Sequence, residues 1–228
     1  MSVKTALLLF YKDSENESKK GIAKTQNLFK ALNNHLIDKL SKKNIDLILF
    51  NESFQRGNDF GTRYYNALND TFNSGYKKVI SIGNDTPQLS WQQIKYAQTQ
   101  TAKGKMCIGP SHDGGFYLWA LHRDDLQHVD FKKINWQTRH VFDQLKDQLQ
   151  MKGVAFDQLK RLTDIDDQLT LLKVYHRLSH QHPLKDILRT GLSRSSKLSF
   201  FENTDHPKDH YSSYFFNKGP PGPFLASR

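Results

Sequence analysis

The sequence predicts an α/β fold in which helices cover a largely parallel sheet. Short apolar runs alternate with segments of helical period, and the loops that follow the apolar runs are rich in Gly, Pro, Asp, Asn or Lys. The chain has 228 residues, of which 37% are hydrophobic and 25% charged, so it can bury a core and wholesale disorder is disfavoured.

Buried strands are predicted where runs of Leu, Ile, Val or Phe show no polar alternation. These runs cover residues 4–11, 45–50, 79–82, 106–108 and 116–121, with a further strand within 153–159. Apolar residues at helical spacing predict the intervening helices. They cover about 24–40, 60–72, 90–101, 141–149 and 169–178.

Particular residues mark where these helices begin and end. Gly75 is placed to follow the second helix as its C′ residue, and Ser90 can cap the third. One of Asp164, Asp166 and Asp167 is expected to cap the last predicted helix.

The strand–helix–strand order predicts parallel strands joined by right-handed crossovers, so the loops after the strands should meet at one edge of the sheet. These loops are residues 12–21, 83–87 and 109–115. Ligands of such sheets bind beyond the carboxyl ends of the strands, so we expect the functional site there.

Composition narrows the function classes. The net charge of +10 is scattered, with no basic stripe on any predicted helix, and nucleic acid is therefore not an expected partner. The early apolar run 6–11 is too short for a membrane span or a secretory signal. The single cysteine, Cys107, fits a reducing compartment, and we expect a cytoplasmic protein.

Common catalytic motifs are missing from the sequence. It contains no Gly-x-Ser-x-Gly nucleophile motif, no phosphate-binding Walker loop and no Gly-x-Gly-x-x-Gly fingerprint. This argues against the common hydrolases, P-loop enzymes and NAD-dependent enzymes.

Asp85, which follows the third strand, is the strongest single candidate for chemistry. A carboxylate at that edge can bind a hard cation that also bridges diphosphate oxygens. The alternative is an Asx-turn, in which the Asp85 side chain bonds its own backbone.

Asp113-Gly114-Gly115 should face the same crevice. Asp113 and Asp85 could share a metal, or one could bind metal while the other acts as acid or base. The alternative is an ordinary turn of the hairpin kind. Asp164 and Asp166 are further candidate metal ligands.

Basic residues near the strand ends could neutralise phosphate oxygens. They are Lys19, Lys20 and Lys24 near the end of the first strand, and Arg56 and Arg63 near the end of the second. The alternative for each is a solvated surface position.

Two motifs together resemble a known family. Residues 82–89 (Ile-Gly-Asn-Asp-Thr-Pro-Gln-Leu) and 108–118 resemble the glycosyltransferase-A-like bacterial family that includes proteins described as arsenosugar biosynthesis glycosyltransferases. Weaker matches follow at 55–63, 134–138 and 162–166, so the resemblance covers about residues 4–178.

The resemblance implies a three-layer nucleotide-diphospho-sugar transferase fold with a mostly parallel, seven-stranded mixed sheet. It implies a nucleotide-sugar donor beside Mg²⁺ or Mn²⁺. Asp85 matches the family's aspartate after the third strand, Asp113-Gly114-Gly115 its acceptor- or sugar-facing loop, and Lys24 the lysine that opens the first helix.

The predicted function is metal-dependent transfer of a sugar from a nucleotide-diphospho-sugar to a small-molecule acceptor. Asp113 is assigned as the catalytic base if the reaction inverts the anomeric centre, and Asp85 and Asp166 as metal ligands. Donor binding is assigned to Lys24, Arg56, Arg63, Asn84, Asp85, Gly114 and Gly115.

Two alternatives stay open. A sugar-phosphate nucleotidyltransferase has a related motif after the third strand, but residues 12–20 lack the glycines that its triphosphate loop needs. A non-catalytic protein that keeps the fold is the other, because Gln26 stands where the family has arginine.

The sequence predicts a catalytic domain over residues 1–180 and a partly irregular extension over 181–228. Helical period ends at about residue 193, and the Phe- and Pro-rich tail beyond it is a candidate homodimer contact.

Overall fold

A computed structural model describes residues 4–12, 19 and 21–192. The strands are β1 (Thr5–Phe10), β2 (Asp46–Phe50), β3 (Lys78–Ile82), β4 (Met106–Pro110), β5 (Phe116–His122) and β6 (Phe156–Gln158). The helices are α1 (Thr25–Ser41), α2 (Phe60–Asn73), α3 (Trp91–Ala102), α4 (Val141–Met151), α5 (Gln168–Arg177) and α6 (Leu184–Arg189). Short 3₁₀ helices, Arg123–His128 and Phe131–Lys133, connect β5 to α4.

The strands form one mixed sheet in the order β2-β1-β3-β5-β4-β6. β1 pairs in parallel with β2 and β3, and β4 pairs in parallel with β6. The described part of the chain thus forms a sheet of six strands, where the family resemblance implied seven.

β5 makes the sheet mixed, as the resemblance implied, because it runs antiparallel to both β3 and β4. Only residues 111–115 separate β4 from β5, whereas a parallel crossover needs a dozen residues or more. Because β5 reverses direction between β3 and β4, those two strands still point the same way. Their carboxyl ends therefore meet at one edge, as predicted.

The fold has three layers, because successive strand residues face opposite sides of the sheet. Leu8, Val79 and Trp119 face α2 and α4 on one side. Leu7 and Ile80 face α1 and α3 on the other. Cys107 is buried on this second side.

The predicted helix signals are confirmed at three positions. Gly75 follows α2 with φ of +98°, a conformation that glycine adopts without strain. Ser90 forms a capping box with Gln93 at the start of α3. Asp167 caps α5, accepting a hydrogen bond from the Thr170 amide.

The sequence did not predict α6, which packs through Leu184 and Leu188 against apolar residues of α1 and α5. A domain boundary near residue 180 stays a prediction. The Phe- and Pro-rich tail and its proposed dimer contact lie outside the described residues. Within the described ranges, no helix combines the length and apolar character that crossing a membrane requires.

Candidate active site

A cleft of about 820 Å³ opens at the sheet edge where β1 and β3 end and β5 begins. Six of the predicted site residues line it. They are Arg63, Asn84, Asp85, Asp113, Gly115 and Asp166. These residues therefore lie together at the sheet edge, and their roles stay predictions.

Asp85 lies directly beyond β3 and is half-buried. Burial raises the pKa of its carboxyl, and the charges of Asp166 and Asp113 raise that pKa further, while the Lys19 ammonium lowers it. The Asp85 carbonyl accepts a 2.8 Å hydrogen bond from the Ile165 amide, which fixes the loop in place. Several carboxylates therefore share one partly dehydrated site with a lysine ammonium.

That ammonium belongs to Lys19, whose Nζ lies 2.9 Å from Oδ1 of Asp166. The same Nζ lies over the Phe29 ring, 5.7 Å from its centroid. Lys19 thus takes part in the cleft, whereas Lys24, the lysine that the family resemblance favoured, is not among the lining residues. Lys24 instead precedes α1 in a left-handed conformation with φ of +50°.

The Asp113 turn contributes its carboxylate to the same cleft as Asp85. Asp113 Oδ1 accepts hydrogen bonds from the Ser111 hydroxyl and, at 2.9 Å, from the Gly115 amide. Gly114 has φ of +96°, and a Cβ there would lie 2.0 Å from the Arg139 carbonyl oxygen. Its role is to let the turn pack closely against the loop that follows residue 135.

Asp164 does not line the cleft but lies behind it, only 8% exposed. It accepts a hydrogen bond from the Thr86 hydroxyl and also contacts the Ser111 hydroxyl. Burial, followed by the charge of Asp85, raises the pKa of Asp164 to about 8. The hydroxyl groups of Thr86 and Ser111 favour the ionised form of Asp164 and offset part of this rise.

The donor set of the cleft fits Mg²⁺ or Mn²⁺, which prefer hard oxygen ligands. Asp85 and Asp166 supply carboxylates that interact electrostatically. No cluster of three or more His, Cys, Asp or Glu side chains arranged for a metal occurs among the described residues. Two carboxylates are nevertheless sufficient for Mg²⁺ when substrate phosphates and water complete its coordination.

Cationic side chains also line the cleft, and sequence reasoning found only part of this set. Lys12, Lys19, Arg63 and Arg139 all contribute. Arg56 lies outside the lining, and its Nη2 is 2.7 Å from Asp70 Oδ2 on α2. The structure therefore brings Arg63 to the site but does not bring Arg56 there.

One side of the cleft is an aromatic wall, formed by Phe10, Phe60, Tyr64, Phe116 and Trp136. Trp136 donates a 2.7 Å hydrogen bond from Nε1 to the Phe131 carbonyl and stacks on the Phe131 ring at 5.6 Å. A Cβ on Gly61 would lie 2.2 Å from Trp136 Nε1, so this glycine makes room for the indole.

The structure also reveals lining residues that the sequence did not single out, including Gln55, Gln137, Thr138 and Arg139. Gln137 has φ of +62°, which is uncommon for a residue other than glycine. Such strain often occurs at functional sites. The weak motif at residues 134–138 was the only sequence signal for this loop.

Comparison with known proteins identifies a partial family match. Residues 32–138, just under half of the chain, match a family model described as "Uncharacterized protein conserved in bacteria (DUF2064)". The match includes Asp85 and the Asp113 turn and ends before Asp164 and Asp166. No curated protein matches the sequence.

The fold is similar to the crystal structure of a Desulfovibrio desulfuricans protein proposed to be a nucleotide-diphospho-sugar transferase. The TM-score is 0.73 at 21% identity, covering 81% of this chain and 94% of that chain. This similarity confirms the nucleotide-diphospho-sugar transferase fold predicted from the motifs.

Two further structures are more distant. A cytidylyltransferase from Leptospira borgpetersenii has a TM-score of 0.42 at 11% identity, covering 91% of this chain and 100% of that chain. A glycosyltransferase involved in glycosylation of the major capsid of PBCV-1 has the same score and identity, covering 86% of this chain and 99% of that chain. These scores are too low to bear on function.

Proposed function

We propose that this protein is a metal-dependent glycosyltransferase that moves a sugar from a nucleotide-diphospho-sugar to a small-molecule acceptor. The observation that supports it most is the placement of Asp85, Asp166 and Asp113 around one cleft on this fold. The cleft is lined by cations, which can bind a diphosphate, and by carboxylates, which can bind a divalent metal or accept a proton.

Asp85 and Asp166 would hold the metal ion, and the bound ion would supply charge neutralisation for the departing nucleoside diphosphate. Lys19, 2.9 Å from Asp166, adds a fixed positive charge at the same place. Arg63, which also lines the cleft, can bind phosphate oxygens with two donors.

Asp113 is the proposed general base of an inverting reaction. It would accept the proton of the acceptor hydroxyl while that oxygen bonds to the anomeric carbon and the bond from carbon to diphosphate breaks. Its hydrogen bonds from Ser111 and Gly115 leave Oδ2 available for this role. A retaining reaction would use a different arrangement.

A thermal-shift panel tests the proposal directly. Nucleoside diphosphates and their sugar conjugates are added to the full chain with and without Mn²⁺, and binding raises Tm. We expect the largest shift with one nucleotide sugar plus Mn²⁺, and its loss in Asp85→Ala. Asp38→Ala, which removes a surface carboxylate paired with Lys42, is the matched control.

The opposite result has a definite meaning. If no nucleotide and no metal shifts Tm, the proposal is wrong and a non-catalytic protein that keeps the fold becomes the better explanation.

A sugar-phosphate nucleotidyltransferase is the second candidate. The number of cations that line the cleft favours it, since Lys12 and Arg139 add to Lys19 and Arg63. A triphosphate and a sugar phosphate together carry more negative charge than one diphosphate. Release of pyrophosphate from a nucleoside triphosphate plus a sugar phosphate would establish this reaction instead.

A further inference from the structure

The segment that leads to α5 joins the two loops that carry the cleft carboxylates. The Leu162 amide donates to the Pro110 carbonyl at 3.2 Å, and the His112 amide donates to the Leu162 carbonyl at 2.9 Å. Three residues later, the Ile165 amide donates to the Asp85 carbonyl at 2.8 Å. Between these attachments lies Asp164.

The Asp164 side chain connects the same two loops a second time, through two hydroxyl groups. It accepts from Thr86, whose Oγ1 is also 3.5 Å from Asp85 Oδ1. It contacts Ser111, whose hydroxyl donates to Asp113 Oδ1. One buried carboxyl group, 8% exposed, therefore lies behind the cleft. One residue with a hydroxyl group connects it to each of the two cleft carboxylates.

We propose that Asp164 is a positioning residue that sets the orientations of Asp85 and Asp113 relative to each other through Thr86 and Ser111. This inference rests on the proposed function, in which Asp85 binds metal and Asp113 accepts a proton. Neither role requires Asp164 to touch substrate, and the cleft lining excludes it.

The physical need for such a residue comes from charge and exposure. Asp113 is exposed, and its negative charge acts on Asp85 across the cleft. Repulsion and free rotation would both spread the two carboxylates apart, whereas catalytic groups must be held within about 0.5 Å of their working geometry. Asp164 counters this by anchoring Thr86, the residue next to Asp85, and the Ser111 hydroxyl that donates to Asp113.

Two substitutions at position 164 separate positioning from mere packing. Asp164→Asn keeps an acceptor for the Thr86 hydroxyl and supplies an amide donor for Ser111, whereas Asp164→Ala removes both contacts. Asp125→Ala is the matched control. Asp125 is a partly buried carboxylate that accepts a 2.7 Å hydrogen bond from the His122 amide, beyond the other end of β5.

The kinetic test measures hydrolysis of a panel of UDP-glucose, dTDP-glucose, GDP-glucose and GDP-mannose, with Mn²⁺ and without acceptor. We expect kcat to fall about 10- to 100-fold in Asp164→Ala and to stay within about threefold of the original in Asp164→Asn. Asp125→Ala should lower Tm with kcat unchanged.

Substitutions of Thr86 and Ser111 should separate an effect on the metal ligand Asp85 from an effect on the general base Asp113. Thr86→Val should raise the Mn²⁺ concentration that gives half-maximal rate, because it loosens Asp85. Ser111→Ala should lower kcat at an unchanged Mn²⁺ requirement, because it loosens Asp113. Unaltered kcat and Mn²⁺ dependence in folded Asp164→Ala, or an Asn variant as impaired as the Ala variant, would overturn the proposal.

Crystal structures of the original protein and of Asp164→Ala give a readout that does not depend on activity. We expect the Asp85 and Asp113 carboxylates to rotate or to lose a single orientation in the variant. If the original protein hydrolyses no donor while this rotation occurs, the proposed function fails and the positioning role stands. Unchanged carboxylates refute the positioning role whatever the activity.

Discussion

The acidic side of the cleft and the aromatic wall are built by different means. On the acidic side, hydrogen bonds from hydroxyl and amide groups hold the Asp113 carboxylate and the Asp85 backbone, against the mutual repulsion of the two charges. On the aromatic wall, Phe60, Tyr64 and Trp136 pack against one another with ring centroids 5.5 to 6.0 Å apart.

This difference implies that the two sides contribute to different properties. Aromatic packing buries apolar area and stabilises the fold. Crowded carboxylates oppose folding, because burial and like charges disfavour their ionised forms. Substitutions on the acidic side should therefore reduce activity more than stability, and substitutions in the aromatic wall should do the reverse.

The largest effect is expected for Asp85→Ala. Loss of this carboxylate, the proposed metal ligand, should reduce donor turnover by at least about 10²-fold, since electrostatic stabilisation of the leaving group is lost. Tm should not fall, because the substitution also removes a repelling charge. Activity and thermal unfolding of the same sample test both parts, and a variant with full turnover would contradict the assignment.

Trp136→Ala should show the opposite pattern. Removing the indole leaves a cavity beside Phe60 and Phe131, and we expect a loss of about 2–4 kcal/mol in the free energy of unfolding. The Tm shift caused by Mn²⁺ should persist. Trp136→Phe keeps a ring but loses the 2.7 Å hydrogen bond to the Phe131 carbonyl, so its loss should be near 1 kcal/mol. Denaturant unfolding measures both values.

Asp164→Asn should make the protein more stable at pH 8. Because the pKa of Asp164 in the folded state is raised to about 8, the folded protein holds a proton that the unfolded chain, with an ordinary aspartate, releases near pH 4. The original protein therefore loses stability as pH rises from about 4 to 8, and the variant avoids this loss.

Thermal unfolding of both proteins as a function of pH tests this effect. The Tm difference should be small at pH 4 and reach several degrees at pH 8, since each kcal/mol corresponds to about 2–4 °C in a domain of this size. Parallel Tm curves for the two proteins would contradict the raised pKa.

The smallest effects are expected from a pair of arginines. Arg63→Ala should weaken nucleotide-sugar binding about fivefold or more, because Arg63 lines the cleft without a carboxylate partner in ion-pair distance among the described residues. Arg56→Ala should leave binding unchanged and cost less than about 1 kcal/mol of stability, as expected for its exposed pair with Asp70. Calorimetric titration with the nucleotide sugar selected by the panel distinguishes them.

The place of each residue along the chain explains which parts of the cleft the sequence could predict. Asp85 and Asp113 directly follow buried strands, so strand order alone brought them to one edge. Lys19 belongs to a basic segment that the sequence marked, but which of its lysines reaches the cleft depends on tertiary contacts, and no local pattern marks Arg139. Similarly, the ion pair that removes Arg56 from the cleft depends on Asp70, a full helix away along the chain.

The direction of β5 shows a different limit of prediction from the sequence. The five residues between β4 and β5 were enough to predict a hairpin, and the Asp-Gly and Gly-Gly pairs there were recognised as turn residues. The regular alternation of strands and helices predicted parallel strands only as far as β4 and gave no direction for β5. Connection length decides that direction, because a parallel crossover needs about a dozen residues or more.

The close approach of Gly114 to the Arg139 carbonyl oxygen has a consequence for engineering. A methyl group at position 114 would lie 2.0 Å from that oxygen, so the turn or the loop that carries Trp136, Gln137 and Arg139 would have to move. A single small substitution would thereby change the shape of the cleft on its aromatic side, where Trp136 and Arg139 line it. Libraries that aim to admit bulkier acceptors should begin at this glycine.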